Sequence, residues 1–308
     1  MTRTLTTALS LLAALVLLVA CNGPATPPPE AATTTEDLVA QTAAKARAAA
    51  RPGGDAATAT PAPRPADAAP TRPPATATPT PRPAPSPPKP VATPSPTGQI
   101  AFPKGKPITY VAIGASDTVG VGAANPARDG WVPQLHRRLP PGSRLVNLGV
   151  SGTKLSEAVQ LQLPKAIEAR PDLVTVWNVV NDLNANVDMA AYERDLDRLL
   201  RELTNKTGAR VLVGNVPDLA GVPAYTKLGI PPDELRKEAA RWNQVIARTA
   251  QKYPGRVYVV DLYARSAEIE IDQTLVAGDD FHPSAGGYAR LADVFWEHMV
   301  ASRLVAPA

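Results

Sequence analysis

Cysteine and histidine are scarce in this chain of 308 residues, which holds one cysteine and three histidines. A single cysteine, Cys21, cannot form a disulfide bond within the chain. The histidines, at positions 136, 282 and 298, lie far apart and lack the short spacing of metal-binding motifs. These residues offer no support for a metal site, and we expect a reaction that needs no cofactor.

The chain also lacks the glycine motifs of nucleotide-binding loops. The segment GASDTVGVG, residues 114–122, follows the apolar run ITYVAI. A dinucleotide-binding loop requires G-x-G-x-x-G, but after Gly120 and Gly122 the third position is Asn125. The G-K-[ST] ending of a P-loop is missing as well. The better interpretation is that Ser116, placed just after a strand, is a nucleophile.

Aromatic residues are almost absent from a long segment near the start of the chain. Residues 22–107 hold 22 of the 35 prolines, mixed with Ala and Thr, and Phe102 is their only aromatic residue. Such a segment buries too little apolar surface to offset the entropy lost on ordering. We therefore expect residues 21–107 to form a disordered spacer, with extended polyproline II stretches that rise about 3.1 Å per residue.

The excess positive charge does not belong to the remainder of the chain. Residues 1–107 hold ten basic and five acidic residues, whereas residues 108–308 hold 22 basic and 23 acidic residues. The net charge of +4 therefore comes from the first third of the sequence. This distribution argues against nucleic acid as a partner.

The first 20 residues have the pattern of an export signal. Arg3 precedes the apolar run ALSLLAALVLLVA, which is too short to span a membrane comfortably. The run ends in LVAC, where Ala20 precedes Cys21, and this resembles the lipobox of bacterial lipoproteins. The resemblance implies cleavage before Cys21 and a lipid on its sulfur; a cysteine placed there by chance is the alternative. We expect an exported protein, lipid-anchored to the outer face of a bacterial membrane.

Residues 108–308 alternate between strand and helix patterns. Helical repeats of apolar residues occur at 189–203, at about 233–252 and at 284–304. Between and before them lie Val-rich runs typical of parallel strands buried on both faces: ITYVAIGA, RLVNLGV, DLVTVWNVV, ARVLVGNV and RVYVVDLY. The alternation predicts a three-layer α/β/α sandwich with about five parallel strands. In such sheets the ligand crevice lies beyond the carboxyl ends of the strands.

Polar residues occur at these strand ends. Ser116 follows the first strand, Gly152 the second and Asn181 the third, while Asp279 and His282 precede the last helix in GDDFHPS. A histidine can take the proton of a serine hydroxyl near neutral pH, and a nearby carboxylate can orient its imidazole. The backbone N–H groups of the serine and glycine and the amide of the asparagine can stabilise an oxyanion.

This order of Ser, Gly, Asn and His resembles the SGNH hydrolases, also called the GDSL lipase and esterase family, over essentially all of the chain from residue 108. The resemblance implies a flavodoxin-like fold and a role for each residue. Ser116 corresponds to the nucleophile, which with Gly152 and Asn181 also forms the oxyanion hole. His282 corresponds to the base, and Asp279 orients it in the family's D-x-x-H pattern.

Two blocks depart from the family pattern. The first usually reads G-D-S-L, whereas Ala115 and Asp117 flank the serine here, and the third usually reads G-x-N-D, whose glycine is replaced by Val179. Neither change removes a catalytic atom, but both reshape the crevice wall. Asp280, one residue nearer the histidine than Asp279, is a competing orienting carboxylate.

The combined patterns predict a monomeric, cell-envelope-anchored serine esterase. It is expected to hydrolyse acyl or acetyl esters of a small molecule or a polysaccharide through an acyl-serine intermediate. Two alternatives stay open: an acyltransferase that uses the same site, and a non-catalytic envelope binding lipoprotein on the same fold. The segment at 217–234, PDLAGVPAYTKLGIPPDE, is expected to help wall the crevice.

Overall fold

Five parallel strands form a single sheet in the part of the chain that the computed structural model describes, residues 101–267 and 272–306. The strands are β1 Thr109–Gly114, β2 Arg144–Asn147, β3 Leu173–Trp177, β4 Arg210–Gly214 and β5 Val257–Val260. Their order across the sheet is β2-β1-β3-β4-β5. The predicted parallel sheet is confirmed. The export signal, Cys21 and most of the predicted spacer lie outside the described residues.

One valine from each strand lies in a row across the whole sheet, and valine favours the extended backbone of a strand. The residues aligned in register are Val146, Val111, Val174, Val211 and Val257, one from each strand. β-branched side chains favour extended backbone and pack well on a pleated surface. All of them are buried except the one on the edge strand β2, which is partly exposed. The strands are apolar along their whole length because helices cover both faces of the sheet.

Helices cover the two faces of this sheet. They are α1 Ser116–Val119, α2 Pro126–Asp129, α3 Trp131–His136, α4 (Leu155–Glu157, a π-helical turn Ala158–Gln162, and Leu163–Glu168), α5 Val179–Asn184, α6 Met189–Lys206, α7 Pro223–Lys227, α8 Pro232–Ala250 and α9 Ala285–Ala301. Helices α3 and α9 pack together, and the rings of Trp131 and Phe295 stack between them with centroids 4.4 Å apart. Helices α6 and α8 form a second pair through Tyr192 and Trp242, whose centroids are 4.8 Å apart.

The three long predicted helices are α6, α8 and α9, each with a recognisable start. Asp188 caps α6 by accepting a hydrogen bond from the backbone N–H of Ala191 at 2.9 Å. Ser284 caps α9 by accepting one from Gly287 N–H at 3.2 Å. In the two described ranges, no helix is sufficiently long and apolar to cross a membrane.

Candidate active site

Ser116 is the first residue of α1, directly after the turn that ends β1. Gly114 permits this turn, because a Cβ at that position would collide with the side chain of Thr118 and with the carbonyl oxygen of Trp177. Ser116 is 7% exposed. Its backbone N–H, at the start of a helix, has no hydrogen-bond partner among the described residues. The position thus offers both a hydroxyl group and a spare backbone donor.

The second strand leads into a loop that contains Gly152. This glycine has a φ of +79°, in the left-handed region, and a Cβ there would meet no atom within 4 Å. Its N–H also has no partner in the described ranges. The carbonyl oxygen of Thr153 accepts hydrogen bonds from Asn181 Nδ2 at 3.2 Å and from Asn178 Nδ2 at 3.3 Å. These bonds hold the amide of Asn181 beside the Gly152 loop, with its second N–H available.

His282 lies in the loop before α9 and is bound to Asp279. The Nδ1 atom of the imidazole is 2.6 Å from Asp279 Oδ2. The other carboxylate oxygen accepts the backbone N–H groups of Phe281 at 3.1 Å and of His282 at 3.0 Å. Partial burial raises the pKa of the Asp279 carboxyl, but these hydrogen bonds outweigh it, so that the pKa is lowered. The carboxylate therefore stays charged and fixes the orientation of the ring.

Asp280, the competing carboxylate, is directed elsewhere. Its backbone has a φ of +65°, and its side chain forms an ion pair with Lys227 at 2.5 Å. Its carbonyl oxygen accepts the N–H of Ala224 at 3.0 Å. The structure thus pairs Asp279, and not Asp280, with the imidazole, and the segment at 217–234 braces the histidine loop through α7.

The glycine-rich segment that follows Ser116 packs against the histidine loop. Gly122 has a φ of +98°, and a Cβ there would lie 2.6 Å from the carbonyl oxygen of Pro283 and 3.0 Å from the Cβ of His282. The hydroxyl of Tyr288 donates a hydrogen bond to the carbonyl oxygen of Val121 at 2.5 Å. The close approach joins the two loops, and it explains the glycine at position 122, because a side chain there would collide with the histidine loop.

The profile of the GDSL-like lipase/acylhydrolase family matches residues 112–290. The chain belongs to this family. It is therefore an ester-hydrolysing serine hydrolase with the α/β/α fold that the sequence predicts. No curated protein sequence matches the chain significantly.

Solved structures share the fold of this GDSL-like hydrolase at low sequence identity. TesA is 21% identical, with a TM-score of 0.52, over 63% of this chain and 99% of its own. LAE5, an α/β hydrolase enzyme from the metagenome of Lake Arreo in Spain, is 20% identical, with a TM-score of 0.52, over 68% and 100%. Axe2, an acetylxylan esterase from Geobacillus stearothermophilus, is 20% identical, with a TM-score of 0.50, over 66% and 99%.

A buried glutamine, which the sequence analysis missed, fixes the end of β1 in this GDSL-like hydrolase. Gln162 Oε1 accepts the backbone N–H of Gly114 at 3.1 Å, and its Nε2 donates to the carbonyl oxygen of the same residue at 2.9 Å. Gln162 is 3% exposed and ends the π-helical turn of α4, a feature frequent at functional sites. Its signal in the sequence is a glutamine on the buried side of an apolar helix. Gln162 positions the strand end two residues before Ser116.

Asp182, the aspartate of the third block, holds the Gly152 loop to α5. Its two carboxylate oxygens accept the backbone N–H of Leu155 at 3.2 and 3.0 Å. Burial raises the pKa of Asp182 to about 7, and the hydrogen bond from Leu155 offsets only part of that effect. The residue thus links the start of α4 to the helix that carries Asn181.

The remaining histidines have other neighbours. His136 Nε2 is 2.8 Å from the carbonyl oxygen of Ser143, and His298 Nε2 is 3.2 Å from Ser302 Oγ. Burial lowers the pKa of His298. No group of three or more His, Cys, Asp or Glu side chains suited to a metal occurs within residues 101–267 and 272–306.

Proposed function

We propose that this serine hydrolase cleaves carboxylic esters through an acyl-Ser116 intermediate. The observation that carries the assignment is the 2.6 Å hydrogen bond between His282 Nδ1 and Asp279. It leaves Nε2 of the same ring as the atom that can accept a proton. The loop that contains this histidine is packed against the segment following the serine, at the carboxyl edge of the sheet.

In the first half of the reaction, His282 Nε2 accepts the proton of Ser116 Oγ while Oγ bonds to the carbonyl carbon of the ester. The oxyanion that forms is stabilised by the spare N–H groups of Ser116, Gly152 and Asn181. Asp279 stabilises the imidazolium. The bond to the alcohol then breaks, and the alkoxide takes the proton from His282.

In the second half, water attacks the acyl-serine. His282 accepts a proton from the water as its oxygen bonds to the acyl carbon, and returns that proton to Ser116 Oγ as the carboxylic acid leaves. The oxyanion is stabilised by the same three donors. Every proton that moves is held by His282, so the cycle uses only groups of this chain and one water molecule.

The test is active-site labelling of the full chain with a fluorophosphonate, together with hydrolysis of p-nitrophenyl acetate. Ser116→Ala is expected to abolish labelling, and Ser116→Ala and His282→Ala are each expected to lower turnover by about 10³-fold or more. Ser151→Ala and His136→Ala are the matched controls and should behave as wild type. A folded wild type that neither labels nor turns over the ester would favour a non-catalytic binding protein instead.

We further propose that the chain is exported and anchored through a lipid on Cys21. The support is the order of Arg3, an apolar run and LVAC in the sequence, followed by a proline-rich spacer able to hold the hydrolase away from a bilayer. The domain would then act on esters in the cell envelope or outside it. Either a small molecule or a polysaccharide is compatible with this placement.

Metabolic labelling with a palmitate analogue tests the anchor. The wild type should carry the label in the membrane fraction, and Cys21→Ser should lose the label and either appear in the medium or retain its signal. Asn22→Ala, at the adjacent residue, should keep the label. Unchanged labelling of Cys21→Ser would overturn the anchoring proposal without bearing on the hydrolase.

A further inference from the structure

A mostly apolar cavity of about 120 Å³ is lined in part by chain neighbours of the proposed catalytic residues. Four of its lining residues are Asp117, Val180, Phe281 and Pro283. Each of them is the immediate chain neighbour of the proposed nucleophile, the oxyanion-hole asparagine or the histidine. The cavity is thus bounded by three of the segments that assemble the site.

The rest of the wall comes from the ends of strands, the loops that follow them and helix α9. Its apolar residues include Trp177 at the end of β3, Leu219 after β4, Leu262 after β5, and Leu291 and Val294 on α9. Apolar walls of this kind hold water poorly, because water needs two to four polar partners. An aliphatic group is therefore the better occupant.

Two polar side chains of the wall, those of Ser266 and Arg265, are bonded to other protein groups. Ser266 Oγ donates to the carbonyl oxygen of Leu262 at 2.7 Å and accepts the N–H of Asp218 at 2.9 Å. Arg265 pairs with Glu297 at 2.6 Å. These bonds satisfy the groups from outside the cavity, so that they do not require a polar ligand within it.

Asp117, which directly follows Ser116 in the chain, is a polar residue of the cavity wall. Burial raises the pKa of its carboxyl, and attraction to the positive form of His282 opposes that effect. The same residue is part of the mostly apolar wall. Leucine is usual at this position in the family, so the chain carries its own variant of the wall here.

We propose that this cavity binds a short aliphatic group of the substrate ester, about four to six carbon atoms long. The length follows from the volume, because an apolar cavity of roughly 150 Å³ accommodates a benzene ring. The inference rests on the proposed function, since it concerns the substrate of the same site. The aliphatic group can belong to the acyl part or to the alcohol part of the ester, and the two are separated by experiment.

Two ester series measure this preference on the full chain. The first varies the acyl group as p-nitrophenyl acetate, butyrate, hexanoate and octanoate, and the second varies the alcohol as ethyl, butyl, hexyl and octyl acetate, followed by acid release. In one series, kcat/KM should rise by up to about fourfold per methylene to four to six carbons and then level off or fall. That series identifies which part of the ester enters the cavity. Turnover without any chain-length dependence in either series would overturn the inference while leaving the serine mechanism standing.

A substitution that fills the cavity tests whether it binds the aliphatic group. Val294→Phe places a larger side chain in the wall, and its control, Val300→Phe, makes the same change on the same helix at a partly buried residue that does not line the cavity. The ratio of kcat/KM for the six-carbon ester to that for the two-carbon ester should fall at least tenfold in Val294→Phe and stay unchanged in Val300→Phe.

A second variant keeps the test decisive if Val294→Phe does not fold. Val294→Ala enlarges the cavity and should move the preferred chain to a greater length. Equal ratios in wild type and in the folded Val294 variants would overturn the assignment of the cavity. Absence of both fluorophosphonate labelling and turnover in the wild type would instead remove the proposed function on which it rests.

Discussion

Replacing Asp182 with asparagine should change how the stability of the hydrolase depends on pH. Asp182 is 1% exposed, and its pKa is raised from 3.8 to about 7 because burial disfavours the charged form. The folded state therefore holds the proton more tightly than the unfolded chain does. Below about pH 4 the carboxyl is neutral in both states and has no electrostatic cost. Between about pH 4 and pH 7 it ionises first in the unfolded chain, so folding becomes progressively less favourable as the pH rises.

The size of the effect follows from the two pKa values. Their difference is roughly three units, and each unit corresponds to 1.36 kcal/mol, which gives on the order of 4 kcal/mol above pH 7. Asparagine retains an oxygen that can accept the N–H of Leu155 but carries no charge at any of these pH values. Asp182→Asn should therefore gain stability relative to the wild type as the pH rises.

Urea unfolding of both proteins from pH 4 to pH 8 measures this difference. The free energy of unfolding of Asp182→Asn, minus that of the wild type, should grow toward about 4 kcal/mol across the range. Asp272→Asn provides a control, because hydrogen bonds from Thr274 lower the pKa of that exposed carboxyl. It is therefore ionised in both the folded and the unfolded state above about pH 5, and its difference from the wild type should stay nearly constant over the rest of the range. Parallel curves for the wild type and Asp182→Asn would refute the argument that burial dominates at this site.

Further predictions concern the arrangement of the site. Gln162→Leu should lower kcat about 10- to 100-fold, with a smaller change in KM, because Gly114 loses both of its hydrogen bonds to the glutamine side chain. Gln160→Leu, on the exposed face of the same π-helical turn, is the control and should match the wild type in steady-state assays. Asp279→Asn should reduce kcat by about 10³- to 10⁴-fold, whereas Asp280→Asn should retain most activity; equal losses would contradict the assigned partner of the imidazole. Gly122→Ala should lower both kcat and the melting temperature, because the strained backbone costs about 1–3 kcal/mol. Gly208→Ala is its control, since the added methyl group there meets no atom within 4 Å. Equal melting temperatures for the two variants would argue against tight packing of the loops.

The sequence was sufficient to predict the sheet, because each strand is marked by a pattern of neighbouring residues. Each strand is a short run of Val-rich residues, and burial on both faces leaves no polar interruption in β1 or β3 beyond Thr109 and Thr175. The parallel topology brings the strand ends to one edge of the sheet, so the sequence alone is sufficient to group Ser116, Gly152 and Asn181.

Residues that act through distant partners were not predictable in this way. Gln162 bonds to Gly114 across 48 positions of the chain, and Asp182 bonds to Leu155 across 27. Neither pair of residues produces a repeating pattern in the sequence from which it could be predicted. The choice between the two aspartates near the histidine depended on the folded loop, in which Asp280 has a positive φ and its carboxylate pairs with Lys227.

The two ends of the described domain are joined by backbone hydrogen bonds. The N–H of Ala101 bonds to the carbonyl oxygen of Arg303 at 3.2 Å, and that of Phe102 to Leu304 at 2.8 Å. Helix α9 starts beside the histidine loop and, with 17 residues, carries the chain roughly 25 Å away before this junction. A circular permutant that links the ends here should keep the crevice intact. A resin or a fused partner attached at either end would likewise be joined to the enzyme about one helix length from the histidine loop.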